Sequence, residues 1–535
     1  MVGNTQLESS REPKMKSKLL LFVGMTLTTA VGCGMEPSEK SDPAADDGVL
    51  EDGSNEDDGS SDDEDSNDND GATDDEESEE EDGSSDDGSS DNDDVPPADE
   101  DEDDDEEPAD DAPPADIETY LTFTREVVGT KKGAAWMTPI DIDSDGYDEY
   151  LLTSMTEGLG AAIPPIGPGG AYIMSRSMSS STVGAGSWEL TEAFDYWDGI
   201  IWPNKSTVFD INNDGIEDWV IGCGFLARPN GNILWMAGEM EDGVLSFGSP
   251  QFIDLPDYSR WYHEALPVDM DGDGDMDFVT TNHNSTVFEE GTSLVEWYEN
   301  NGVPGGVDLT RHEIAEGGGA LLTLYDVDED GDMDVILPQF FGGASLIWME
   351  QTSLTTPWVR HVINDDTGRG FGVEMADMNG DGRLDLVYGN HNHQLSDIPA
   401  EQTMGIYWWE IPSPSEVRGL ADWGATMNVV FEGFTVGSPD VAAEGAPGVV
   451  HTGDVNGDGR MDVTASGDGD EGVYVFIQDT DGTFVENMID SGLTMAGDHV
   501  MTDLDGDGDM DFLWAEFGTT GVLGPESTLY AYLQD

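Results

Sequence analysis

From Tyr120 onward the chain repeats one polar-to-apolar pattern. A glycine-containing acidic stretch is followed by a short run rich in β-branched and aromatic residues, such as "FVTT", "VILP", "LVYG", "VTAS" and "FLWA". Their length and the turn-forming residues that bound them read as strands. A second, more aromatic run follows each: "AYIMS" from Ala171, "ILWMA" from Ile233, "LVEWYEN" from Leu294, "LIWME" from Leu346, "IYWWE" from Ile406, "VYVFIQ" from Val473 and "LYAYLQ" from Leu529. In several units a third strand comes next, as in "TRHEIA" from Thr310, "VRHVIN" from Val359 and "FVENMI" from Phe484, and a glycine-rich approach leads into the next acidic stretch. About four short strands per roughly 60 residues, seven times over, predict an all-β chain folded as a seven-bladed β-propeller.

The acidic stretches hold a fixed register: "DIDSDGYDE", "DINNDGIED", "DMDGDGDMD", "DVDEDGDMD", "DMNGDGRLD", "DVNGDGRMD" and "DLDGDGDMD". Positions 1, 3, 5 and 9 are Asp141, Asp143, Asp145 and Glu149 in the first copy, Asp210, Asn212, Asp214 and Asp218 in the second, and Asp269, Asp271, Asp273 and Asp277 in the third. The fourth has Asp326, Asp328, Asp330 and Asp334, and the fifth Asp377, Asn379, Asp381 and Asp385. The sixth has Asp454, Asn456, Asp458 and Asp462, and the seventh Asp503, Asp505, Asp507 and Asp511. Alternate oxygen-bearing side chains converge on one point when the loop turns sharply at the glycine in position 6, and a carboxylate at 9 closes the shell. All-oxygen ligation suits Ca²⁺ rather than Zn²⁺ or copper, so up to seven structural Ca²⁺ ions are expected. The competing reading is a set of acidic turns without metal. An EF-hand needs a bidentate Glu at position 12 and a following helix, whereas Thr280 and Leu337 hold that place inside strands.

The last unit stops at Asp535 after its third strand, while an orphan strand, "YLTFTREVV" from Tyr120, precedes the first loop and resembles "DGTFVENMI" of unit six. Strand 120–128 is therefore expected to complete the seventh blade and close the ring. "D-x-[DN]-x-D-G-x-x-D" followed by an apolar strand resembles the FG-GAP/VCBS repeat family, which includes the integrin α-chain head and many bacterial surface proteins. The resemblance spans Tyr120 to Asp535, and clear FG and GAP tripeptides are missing ahead of most loops. It implies a propeller over residues 117–535 whose calcium loops join the first and second strands of each blade. It leaves function open between adhesion, sugar binding, and lyase or hydrolase chemistry.

Charge divides the chain. The formal net charge is −99, from 117 acidic and 18 basic residues, and residues 36–116 alone hold 41 Asp or Glu in 81 positions. Residues 34–116 have too few apolar groups to offset chain entropy and read as a disordered acidic linker, with an r.m.s. span of roughly 50 Å. Ahead of it, Lys14, Lys16 and Lys18 precede an apolar run from Leu19 to Gly32, too short to span a bilayer. Residues 1–33 read as a signal peptide, and Met15 stands as an alternative start. The ending "AVGC" resembles the lipobox of bacterial lipoproteins, which implies lipidation of Cys33; Gly34 after it implies the outer membrane. An ordinary signal peptide with a chance cysteine is the alternative. Cys223, the other cysteine, is then left without a disulfide partner. The acidity argues against nucleic acid and anionic lipid as partners.

With calcium on one face, the loops after each second strand emerge on the other, where a protein or glycan ligand is expected on a monomeric propeller. Candidate contacts are Asn282, His283 and Asn284 in "TTNHNST", and Asn390, His391, Asn392 and His393 in "YGNHNHQ"; His263, His499, Trp136, Trp202 and Lys205 enter first strands near the same mouth. Polar loop capping is the plain alternative for these residues. The expected role is a binding or adhesion module at the cell envelope, with the membrane touched only through the Cys33 lipid. The rival is a carbohydrate-active lyase or hydrolase using His391, His393 and Glu374. No GxSxG, HExxH or phosphate-binding loop occurs.

Overall fold

The computed structural model describes residues 121–155, 157, 168–176, 187–224, 231–253, 260–284, 292–340, 346–355, 357–390, 404–434, 446–468, 472–491, 493, 496–516 and 527–535. The signal segment, Cys33, the acidic stretch and the candidates His391, Asn392 and His393 lie outside the described residues.

Strand β1 (Phe123–Thr130) precedes the first blade. Blade I is β2 (Ala134–Ile140), β3 (Glu149–Ser154), β4 (Gly170–Arg176) and β5 (Trp188–Phe194). Blade II is β6 (Pro203–Phe209), β7 (Asp218–Cys223) and β8 (Asn232–Met236), then a separate hairpin of β9 (Gly238–Glu241) and β10 (Val244–Phe247), then the short outer strand β11 (Gln251–Phe252). Blade III has a split inner strand, β12 (Trp261–Tyr262) and β13 (Leu266–Val268), followed by β14 (Asp277–His283), β15 (Ser293–Asn300) and β16 (Leu309–Glu316). Blade IV is β17 (Thr323–Tyr325), β18 (Asp334–Pro338), β19 (Leu346–Glu350) and β20 (Val359–Asn364). Blade V is β21 (Gly370–Ala376), β22 (Asp385–Asn390), β23 (Met404–Trp409) and β24 (Met427–Phe434). Blade VI is β25 (Ala446–Gly453), β26 (Asp462–Asp468), β27 (Val473–Gln478) and β28 (Phe484–Asp490).

Blade VII takes β29 (Ala496–Thr502), β30 (Asp511–Glu516) and β31 (Thr528–Gln534) from the C-terminal end and its outer strand, β1, from more than 360 residues earlier. The antiparallel register runs from Phe123 opposite Gln534 to Thr130 opposite Thr528. Arg125 on β1 reaches Asp490 of blade VI at 2.6 Å, and Tyr532 donates to the same carboxylate at 2.8 Å. The molecule is a seven-bladed β-propeller.

The apolar runs explain this stacking. The second strand of most blades is buried along its whole length, because neighbouring blades cover both its faces, so it reads as a continuous apolar run rather than an alternating one. Seven apolar clusters each join two adjacent blades, so the core is a ring of interfaces. The cluster between blades IV and V holds Trp348 and Trp409, and Trp408 faces the next interface, so this tryptophan pair is packing. Cys223 is a free, fully buried thiol in the interface of blades I and II. Outer strand β16 buries Ile314 and exposes Thr310, Arg311, Glu313 and Glu316, which leaves charged side chains on that sheet edge.

Candidate functional site

Each acidic loop connects the first and second strands of its blade, and all seven share one backbone shape. The position 6 glycines, from Gly146 to Gly508, have φ between +88° and +99°, a region that any Cβ makes costly. Position 4 is also left-handed in every copy: Gly272, Gly380, Gly457 and Gly506 lie there at +72° to +82°, but so do Ser144 at +59°, Asn213 at +57° and Glu329 at +55°. This turn lets the position 1 aspartate accept the amide of the position 6 glycine in all seven copies, at 2.7 to 3.2 Å. The position 5 aspartate accepts the amide of residue 7 in all seven.

The remaining oxygens converge. Carboxylate oxygens of Asp141, Asp143 and Glu149 lie within 4.8 Å of one another, as do those of Asp269, Asp271 and Asp273, of Asp326, Asp328 and Asp334, and of Asp503, Asp505 and Asp511. Oxygens bound to one Ca²⁺ at 2.3–2.6 Å span at most about 5 Å, so these donor sets fit a hard divalent cation. Buried oxygens Asn212 Oδ1, Asp328 Oδ1 and Asp385 Oδ1 accept no protein hydrogen bond, which leaves them available to such an ion. In the fourth loop a protein cation is also present: Arg418 contacts Asp328 and Asp330 through Nη2 and Glu350 through Nε at 2.7 Å.

Position 9 does more than face an ion. In five of the seven copies its carboxylate is buried and clamps the loop to the third strand or the residues just after it. In blade III, Asp277 accepts Met270 N at 3.1 Å, Trp297 Nε1 at 3.0 Å and Asn300 N at 2.8 Å. Asp218 bonds Ile211 N and Gly238 N, Asp334 bonds Val327 N and Gln351 N, Asp462 bonds Val455 N and Gln478 N, and Asp511 bonds Leu504 N and Gln534 N. Burial raises these acids despite the amides, Asp334 and Asp385 to about 7 and Asp218, Asp462 and Asp511 to about 6; carboxylates of their own loops add to the rise.

The candidates on the opposite face differ from the sequence reading. Asn282 and His283 are not loop residues: β14 runs two residues further than the apolar run indicates, pairing them with Tyr262 and Trp261. Their side chains are spent internally. Asn282 bonds Glu296 and Arg260, while His283 stacks on Trp261 with ring centres 4.4 Å apart and bonds the Gly319 carbonyl at 3.0 Å. Burial holds His283 down at about 4, reinforced by Arg260. Asn390 likewise ends β22 and donates to the Thr367 carbonyl, and Asn284 Oδ1 accepts Thr292 N at 2.7 Å to tighten the β14–β15 hairpin.

Inner strands instead gather a polar cluster on the propeller axis. Lys205 of β6 lies 4.0 Å from Glu264, in the break of blade III's inner strand. His451 of β25 is bridged between Glu374 of β21 (2.8 Å to Nδ1) and Asp498 of β29 (3.0 Å to Nε2). Lys205, Glu374 and His451, with Leu321, Phe371 and Val449, line a cavity of about 30 Å³. Burial opposes charge on His451, but hydrogen bonds to both carboxylates outweigh it and raise the imidazole to about 9. Lys205, 30 % exposed and beside this cavity, is held above its usual value against burial by Glu264, Asp498 and Glu374. Glu264 has one cation at long range, and burial lifts its carboxyl despite Lys205 and the Leu322 amide. Burial, and then the charge of His451, keeps His499 neutral. The sequence offers Lys205, His499 and Glu374 as candidates but not His451, Asp498 and Glu264, because no local spacing links them.

Comparison with known proteins bears on the repeat. The FG-GAP-like repeat model matches residues 210–280, 269–337, 326–388 and 437–514, stretches that contain every acidic loop but the first. A comparison with curated proteins returns no match. Among solved structures, the Trypanosoma rangeli sialidase is similar at 10% identity and a TM-score of 0.37, over 69% of this chain and 57% of that one. The Trypanosoma rangeli sialidase in complex with 2,3-difluorosialic acid, a covalent intermediate, gives the same identity and TM-score over 68% and 54%. This chain thus spans little more than half the length of those enzymes. The protein is a seven-bladed β-propeller that carries FG-GAP-like repeats.

Proposed function

We propose that the protein is an exported, lipid-anchored calcium-binding propeller that serves as a binding or adhesion module at the cell envelope. The observation that carries the calcium reading is the loop itself, repeated seven times with left-handed residues at positions 4 and 6, with carboxylate oxygens converging in four of the copies. Each ion offsets the repulsion of several carboxylates and ties the first two strands of its blade together; at a hundred times its dissociation constant it adds about 2.7 kcal/mol. The Leu19–Gly32 run and "AVGC" support export with Cys33 as the lipid carrier, and the acidic linker supports presentation of the propeller away from the membrane. A protein or glycan ligand remains the reading for the face opposite the loops. Asn282, His283 and Asn390 act there as internal supports.

Thermal melts of the full chain in Ca²⁺ and in EDTA test the first claim, with a large drop in Tm expected in EDTA; equal melting temperatures refute it. Labelling with a fatty-acid analogue, compared with Cys33→Ala, tests the anchor, and label retained by the variant refutes it. A glycan array with a parallel polysaccharide turnover assay tests the binding role: capture without turnover supports it, and turnover favours the carbohydrate-active alternative.

A further inference from the structure

Strand β29 brings two consecutive residues, Asp498 and His499, to bear on blade VI. Neighbours on a regular strand point to opposite faces, but the pairing of β29 with β30 slips between Ala496 and His499, and such a bulge re-aims side chains. Asp498 Oδ1 lies 3.0 Å from His451 Nε2, and His499 Nε2 lies 2.6 Å from Thr464 Oγ1. One nitrogen of each imidazole and an oxygen of Asp498 fall within 4.8 Å of one another.

We propose that His451, Asp498 and His499 form a binding site for one divalent transition-metal ion of the Zn²⁺ class, separate in place and chemistry from the acidic loops. Hydrogen bonding leaves one atom of each residue for the ion. Thr464 Oγ1 can send its proton to the His451 carbonyl at 3.3 Å; when it does, it accepts from His499 Nε2–H, and His499 Nδ1 keeps a bare lone pair. That nitrogen is buried, in a residue only 2% exposed, and has no hydrogen-bond partner. His451 donates through Nδ1 to Glu374 at 2.8 Å, which turns Nε2 toward Asp498. Asp498 Oδ2 accepts the Met137 amide at 3.2 Å, leaving Oδ1 for the ion. Both histidines therefore have the outer hydrogen-bond partner that orients metal-bound imidazoles.

The spacing agrees. The two rings are 4.6 Å apart between centres and nearly perpendicular at 77°; two imidazoles on one tetrahedral ion at 2.0–2.1 Å have ring centres about 5 Å apart. Two nitrogens and one oxygen select a borderline ion over Ca²⁺ or Mg²⁺. The cavity of about 30 Å³ against His451 and Glu374 is large enough for a water.

The test uses the full chain in excess Ca²⁺, so that the oxygen loops are filled, with Co²⁺ added as the probe. One equivalent of Co²⁺ giving the visible absorption of a tetrahedral complex, displaced by Zn²⁺, is expected, and its absence overturns the proposal by leaving a proton on His451 as the occupant. His451→Gln and His499→Gln are expected to abolish the spectrum, and Glu374→Gln to weaken Co²⁺ binding about 10–100-fold. An unchanged spectrum in His499→Gln overturns the assignment. If that variant does not fold, Thr464→Val, which removes only the orienting hydroxyl, decides: roughly tenfold weaker binding supports the site, and equal affinity overturns it.

Discussion

The position 9 aspartate has two separable jobs, and Asp277→Asn separates them. Asp277 is fully buried and accepts three hydrogen bonds, two on Oδ2 from Met270 N and Trp297 Nε1 and one on Oδ1 from Asn300 N. An asparagine at this place keeps one acceptor oxygen. Turned to satisfy Met270 and Trp297, it sets its NH₂ against the Asn300 N–H, which loses a charge-assisted bond and leaves a buried donor facing a donor. Each such loss costs about 1–3 kcal/mol, so the substitution is expected to cost about 3 kcal/mol with no cation present. The entropy of melting of a propeller of about four hundred residues is about 0.85 kcal/mol/K, so the shift in Tm is about 3–4 °C. The assay is a calorimetric melt in EDTA, with Asp273→Asn as control. Asp273 is exposed and accepts only the Asp275 amide in its own loop, so its loss in EDTA should stay below about 1 kcal/mol. Both variants should bind Ca²⁺ more weakly. If Asp277→Asn melts with the parent protein in EDTA, the clamp is refuted and position 9 serves the ion alone.

The loop backbone gives a second test: Gly274→Ala, at φ +99°, should cost about 1–3 kcal/mol in urea unfolding, whereas Glu329→Gly, at φ +55°, should be neutral or stabilising by up to about 0.5 kcal/mol. Arg418→Ala, which removes the cation lying on Asp328, Asp330 and Glu350, should cost about 1 kcal/mol in EDTA and less in Ca²⁺, read by melts in both buffers. Closure of the ring should be acid-sensitive. Although burial raises Asp490, its bonds from Tyr532, Arg125 and Ser491 N hold it below its ordinary 3.8. Its contribution is therefore complete above pH 3.8 and is lost as pH falls through the lower folded value. Arg125→Ala, a residue 46% exposed, should remove about 0.5 kcal/mol of that acid-dependent stability in a pH series of melts; a pH profile identical to the parent's refutes the clasp.

Much of the architecture is local and so was readable from sequence. Each blade is one supersecondary unit, with its acidic turn, its doubly buried second strand and its aromatic third strand contiguous in the chain. The strand at Phe123–Thr130 was placed beside the seventh unit because it repeats the pattern of an outer strand. Even the left-handed position 4 left a trace, Gly in four of seven copies, which marks a backbone requirement rather than a free position. The limits are equally physical. Asn282, His283 and Asn390 read as loop residues because polar side chains at a strand end look the same in sequence until their buried partners are known. Position 9 reads from sequence as an ion ligand alone, since the amide partners of its clamp come from the third strand or just after it.

What the sequence determined by itself is the repeat: seven acidic loops, the strands they feed and the count of blades, because every signal lies within about ten residues of its consequence. What only the tertiary structure decided is the axis. Glu264, Glu374, His451, Asp498 and His499 come from four different blades and mean nothing as a string. They meet because a closed ring sends the inner strand of every blade to one line, where burial and mutual charge, not sequence spacing, set what each group can hold.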